Sequence, residues 1–155
     1  MSLKRRQFLT LLAALPALPI ATVALAQSRD IWSVQQAHAA LLEDRIRLLD
    51  IRTQGEWHET GVARGAWPVS MHTTRFPKRL GVARELAEHR PIALICATGN
   101  RSGLVTRALR LAGHDNFINV SEGMLGSRRG PGWIKAGLPI VSIDDALAAL
   151  PDALA

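Results

Sequence analysis

Residues 91–96, P-I-A-L-I-C, form an apolar run with no polar alternation, and this limits the fold more than any other stretch of the chain. A strand wetted on one face alternates apolar and polar side chains, whereas a parallel strand covered by helices on both faces does not. The run is therefore read as a central strand, buried on both sides. Thr98, Gly99 and Asn100 then form a turn, and residues 102–112 carry Leu104, Val105, Ala108, Leu109 and Ala112 at helical spacing before Gly113. Strand, loop and helix in that order belong to a sheet wound with crossover helices.

The rest of the chain repeats the alternation. Ser33 with Gln36, and Thr53 with Glu56, have the form of capping boxes. They predict a helix carrying Val34, Ala37, Leu41 and Leu42 and a short one through Trp57 that ends near Gly61. Residues 47–51 (R-L-L-D-I) predict a buried strand, and residues 66–70, which contain Pro68, a short or edge strand. A charged amphipathic helix is expected over 82–89, a strand over 117–120, a glycine-rich loop over 123–132 and a helical turn over 133–136. A last helix capped by Ser142 covers 144–150. The pattern is that of one α/β domain with a central, largely parallel sheet flanked by helices.

Residues 1–26 read as a targeting segment rather than as part of that domain. They open with Lys4, Arg5 and Arg6, continue through Phe8 and Leu9 into an Ala/Leu-rich run, and hold no acidic residue. The arginine pair is similar to a twin-arginine export signal, which implies a bacterial periplasmic destination. Pro16 and Pro19 interrupt the run, so membrane attachment is expected only through an uncleaved signal. Residues 27–155 remain for one domain with its own core. Three of the 19 basic residues lie in the leader, leaving 16 against 13 acids, too small an excess to argue for nucleic acid.

Cys96 is the only cysteine, which excludes an internal disulfide. It stands where ligands bind in open parallel sheets, beyond the carboxyl end of a strand. Ala97, Thr98, Gly99, Asn100, Arg101 and Ser102 follow it as a loop opening a helix. Backbone N–H groups of such a loop and the positive helix end form an anion cradle. A thiol in such surroundings ionises at about 3.5 to 7.5 instead of about 8.5. An inert core cysteine ending a strand is the competing reading at this point.

Several motifs in order resemble the rhodanese homology domain over residues 31–140. Residues 49–66, L-D-I-R-T-Q-G-E-W-H-E-T-G-V-A-R-G-A, look like its opening signature, and C-A-T-G-N-R-S at 96–102 like its active-site loop. S-E-G-M at 121–124 and W-I-K-A-G-L-P-I at 133–140 are similar to its closing signature. The chain departs from the pattern at Val62, in lacking a second glycine near Gly123, and in the Arg128, Arg129 pair before Trp133.

The resemblance implies a sulfurtransferase in which Cys96 carries sulfur as a persulfide, with no metal or organic cofactor. Its donor would be a small sulfur-containing anion such as thiosulfate or a polysulfide, and its acceptor a thiol, cyanide or a protein. Amides of residues 97–102 would stabilise the sulfur anion, Arg101 would orient the donor, and Ser102 would cap the helix or donate to the sulfur. Cysteine phosphatases, including those of related fold, place one residue more between cysteine and arginine than the four found here. A sulfur carrier without turnover and a thiol redox sensor are the alternatives. Asp50 and Arg52 are read as structural residues near the site, Asp50 bonding loop amides and Arg52 pairing with Glu56. The five histidines, His38, His58, His72, His89 and His114, show no metal-ligand spacing.

Overall fold

Residues 30–155 are described by a computed structural model, and the expected export signal at 1–26 lies outside the described residues. The chain runs β1 (Ile31–Trp32), α1 (Val34–Leu42), β2 (Arg47–Asp50), α2 (Gln54–Thr60), β3 (Val62–Ala63), β4 (Trp67–Pro68) and α3 (Phe76–Ala87). It continues through β5 (Ile92–Ile95), α4 (Asn100–Leu111), β6 (Phe117–Val120), α5 (Gly132–Lys135), β7 (Ile140–Val141) and α6 (Ile143–Ala148), closing on a 3-10 turn at Asp152–Leu154. Five strands form one parallel sheet in the order β1-β6-β5-β2-β4, while β3 and β7 pair antiparallel in a separate ribbon. Among the described residues no helix is long and apolar enough to cross a membrane.

Residues 92–95 of the P-I-A-L-I-C run form the middle strand, β5, and every residue of that strand is buried. Successive side chains of a strand point to opposite faces. Ile92, Leu94 and Cys96 accordingly join a core layer with Leu80 and Ala83 of α3, while Ala93 and Ile95 join the opposite layer with Val34 and Ala37 of α1 and Trp133 of α5. Both expected capping boxes form, at Ser33 with Gln36 and at Thr53 with Glu56. Ser142 caps α6 through the N–H of Asp145.

Two helices depart from expectation. The first, α3, begins at Phe76, six residues before the expected start, because Pro77 in its first turn needs no N–H partner and already has a helical φ. The second, α4, begins at Asn100, two residues early, and its buried positions are Ser102 and Thr106. Val105 and Leu109 of the apolar stripe pack on the core, but Leu104, Ala108 and Ala112 are exposed. The helix turns a polar face to the sheet because Cys96 and Asn119 lie beneath it.

The end of β2 is fastened by a buried ion pair. Arg52, 1 % exposed, donates from Nε to Asp50 Oδ1 at 2.9 Å and from a terminal nitrogen to Oδ2 at 2.7 Å. Its remaining donors reach Thr60 Oγ1 and the Gly61 carbonyl, both at 2.7 Å, so the guanidinium joins β2 to the end of α2. This corrects the expected pairing of Arg52 with Glu56: the carboxylate partner is Asp50, and Glu56 offers Arg52 only its backbone carbonyl at 3.4 Å. Asp50 also accepts the Arg52 N–H at 3.1 Å. Removing one partner leaves the other charge buried and unpaired, so Arg52→Ala is expected to lower unfolding free energy by about 3–5 kcal/mol in urea denaturation. A loss below about 1 kcal/mol would contradict this reading of the pair.

Candidate active site

Cys96 follows the last residue of β5 on the α4 side of the sheet and has no exposed surface. Its sulfur receives the backbone N–H of Ser102 at 3.5 Å and the Ser102 hydroxyl at 3.3 Å. The backbone N–H groups of Thr98 and Gly99 also favour its anion. Ser102 does not cap the helix: the residue at the start of α4 is Gly99, no side chain caps it, and the Ser102 hydroxyl lies within hydrogen-bonding distance of the sulfur.

Two opposed effects act on the thiol. Burial pushes its pKa up, and the hydrogen bonds from the Ser102 hydroxyl and from the Ser102, Thr98 and Gly99 amides pull it down. The hydrogen bonds win, and the pKa lies below the ordinary thiol value. The Ser102 hydroxyl has a second partner, Asn119 Oδ1 at 2.7 Å, which the strand pattern did not single out. Asn119 lies on β6 next to β5, faces α4 from within an apolar strand, and is the one polar residue in F-I-N-V. That interruption is the signal by which it could have been found. A hydroxyl has one proton, so Asn119 and the sulfur share a single donor.

The loop keeps its shape by resting on the segment after β6. Met124 and Leu125 donate their N–H groups to the Cys96 and Ala97 carbonyls, both at 2.8 Å. Gly99 has φ +81°, and a Cβ there would lie 2.0 Å from the Ser121 carbonyl oxygen. A Cβ at Gly123, with φ +71°, would lie 2.4 Å from the Ala97 carbonyl oxygen. Only glycine permits either approach. Glu122 between them is buried and accepts the N–H groups of Val34 at 3.2 Å and Gly132 at 3.1 Å, tying this segment to α1 and α5.

Arg101 lies at the start of α4 and is bound to Glu56 of α2 through both terminal nitrogens, one of them at 2.9 Å from Oε2. The same guanidinium is 3.1 Å from His72 Nε2. Glu56 thus serves both the capping of α2 and the anchoring of Arg101, a link that spacing in the chain did not reveal. Arg101 beside it holds the Glu56 carboxyl at about 2 against an ordinary 4.5, with burial opposing and Thr53 assisting. The Arg101 pKa is raised, chiefly by Glu56 and also by the Cys96 sulfur.

The chain has one cysteine and no tyrosine, so ultraviolet absorbance of the thiolate titrates Cys96 alone. The midpoint is expected below the about 8.5 of a free thiol. Ser102→Ala should move it up by about one pH unit, the worth of one hydrogen bond to a charged group. An unmoved midpoint would remove the hydroxyl from the account. Because the folded pKa of Glu56 lies below its ordinary value, its contribution to stability is complete above about pH 4.5 and is lost as pH falls towards 2. Melting temperature measured down this range should fall less steeply in Glu56→Gln than in the parent; equal slopes would contradict the pairing.

Comparison with known proteins agrees with this geometry. The profile of the rhodanese-like domain matches residues 33–128. The chain is similar to a rhodanese-like domain protein of Staphylococcus aureus, with 25% identity over 73% of this chain and 99% of the other at a TM-score of 0.55. Its fold is shared with the polysulfide-sulfur transferase homodimer of Wolinella succinogenes (24% identity, 73% and 78% covered, TM-score 0.51). It is shared also with a protein of unknown function and possible tyrosine phosphatase from Rhodopseudomonas palustris (21% identity, 72% and 84% covered, TM-score 0.50). A match over more than half of the chain, on the segment that builds the cysteine loop and its supports, shows that this chain belongs to the rhodanese-like domain family.

Proposed function

We propose that this protein is a sulfurtransferase that moves a sulfane sulfur from a small anionic donor to a thiol, cyanide or protein acceptor through a persulfide on Cys96. The observation that carries this reading is the convergence of the Ser102 N–H and hydroxyl on the Cys96 sulfur, with the Thr98 and Gly99 amides favouring its anion. Donors held in place by the backbone stabilise a sulfur anion without having to reorganise when it forms.

With thiosulfate as donor, the Cys96 thiolate attacks the outer sulfur. A sulfur–sulfur bond forms to the enzyme, the bond within thiosulfate breaks, and sulfite departs with the electron pair. The terminal sulfur of the persulfide now carries the negative charge. An acceptor nucleophile such as cyanide attacks that sulfur, the enzyme's sulfur–sulfur bond breaks, and thiocyanate leaves as the Cys96 thiolate returns. Neither step requires a metal or an organic cofactor.

The geometry favours sulfur transfer over phosphoester hydrolysis. Only four residues separate Cys96 from Arg101, and the Arg101 fork is engaged by Glu56 instead of being free to clamp a phosphoryl group. That same pair makes Arg101 an anchored positive charge beside the sulfur, suited to attracting the donor. The leader composition supports export to the periplasm, and N-terminal sequencing of protein from that compartment tests it.

Purified protein is expected to form thiocyanate from thiosulfate and cyanide, and Cys96→Ala to form none while melting at the same temperature. A Cys96→Ala protein that retained the activity would end the proposal. Wild-type protein inert with thiosulfate and mercaptopyruvate, yet loaded by polysulfide, would replace the enzyme with a carrier.

A further inference from the structure

A cavity of about 740 Å3 lies beside the Cys96 loop, between α4 and the segment after β6. Thr98 and Gly99 line it, and their amides also serve the sulfur, so the loop is a wall common to the cradle and the cavity. Cys96 and Arg101 are not among its lining residues.

Three arginines, all exposed to solvent, line this cavity: Arg107 from α4, and Arg128 and Arg129 from the loop between β6 and α5. Among the described residues none of the three has a carboxylate partner. Arg45, Arg47, Arg52, Arg90, Arg101 and Arg110 each have one. No aspartate or glutamate lines the cavity. One wall is the beginning of α4, a twelve-residue helix whose positive end adds to the arginines. Like charges gathered without counter-charge repel one another, and an anion placed between them relieves that repulsion. The planar guanidinium fork matches carboxylate and phosphate oxygens in pairs. Leu104, 69% exposed and also on the wall, adds an apolar contact, and the volume falls within the range of about 300–1,000 Å3 that holds small organic ligands.

We propose that this cavity binds a small organic molecule bearing two or more carboxylate or phosphate groups, at a site distinct from the one where sulfur is exchanged. The ligand rests against Asn119, which also lines the cavity and shares the Ser102 hydroxyl with Cys96. The site thereby adjoins the hydrogen bonds that hold the sulfur.

Calorimetric titration of Cys96→Ala with citrate and, separately, with pyrophosphate at low ionic strength tests the proposal without requiring sulfur chemistry. A negative result here therefore leaves the sulfurtransferase reading standing, and the reverse also holds. At least one of the two anions is expected to bind, the stronger identifying carboxylate or phosphate as the preferred group. Arg107→Ala, and the Arg128→Ala, Arg129→Ala double variant, should each weaken binding about tenfold or more with melting temperature unchanged. Arg75→Ala, which removes an exposed arginine at the start of α3 away from the cavity, should leave it unaltered. Binding of neither anion, or an equal loss in Arg75→Ala, would overturn the site. Competition between the bound anion and thiosulfate for persulfide formation in the wild-type protein would overturn its separateness.

Discussion

The contact between the Cys96 loop and the segment following β6 governs the rest of the site. It is made by backbone alone: two carbonyls of the loop receive N–H groups from Met124 and Leu125, and Gly99 and Gly123 remove the side chains that would hold the two segments apart. Because the Cys96 and Ala97 carbonyls are bound on that side, the Thr98, Gly99 and Ser102 amides are left to serve the sulfur. Buried Glu122 extends the same fastening to α1 and α5, so elements far apart in the chain converge on one loop. Rigidity of this kind lets dipoles stabilise a charge at little reorganisation cost.

The electrostatics follow from that geometry in two zones. At the sulfur, burial and hydrogen bonding oppose each other and hydrogen bonding prevails, which brings the pKa of a dry nucleophile below the ordinary thiol value. Outside it, Arg101 is held by Glu56 at one end of the loop, and three unpaired arginines face the cavity beside it. The site therefore offers positive potential on more than one side of the thiolate, and it does so without a metal-binding cluster among the described residues.

Local rules made much of this legible in the sequence. The unalternating β5 run located the central strand, and the Ser33 and Thr53 capping boxes located α1 and α2, because both signals depend only on neighbouring residues. The cradle expected at residues 96–102 likewise rests on neighbouring residues alone. What escaped was long-range. The Arg101–Glu56 pair joins residues 45 apart and the Ser102–Asn119 bond residues 17 apart, and no local spacing encodes either. The α4 stripe misled because apolar periodicity assumes an apolar floor, whereas this helix lies over a thiol and an amide and so buries Ser102 and Thr106. Proximity in the chain points Arg52 towards Glu56, but the fold places the buried carboxylate of Asp50 against it.

The central claim, that the Cys96 loop exists to hold a sulfur anion, is tested most directly by the intact mass of the protein after exposure to thiosulfate, mercaptopyruvate and polysulfide in turn. The expected result is the gain of one sulfur atom per chain with at least one donor, removed on adding cyanide. A mass unchanged by all three donors, or an added sulfur that cyanide leaves in place, would contradict it.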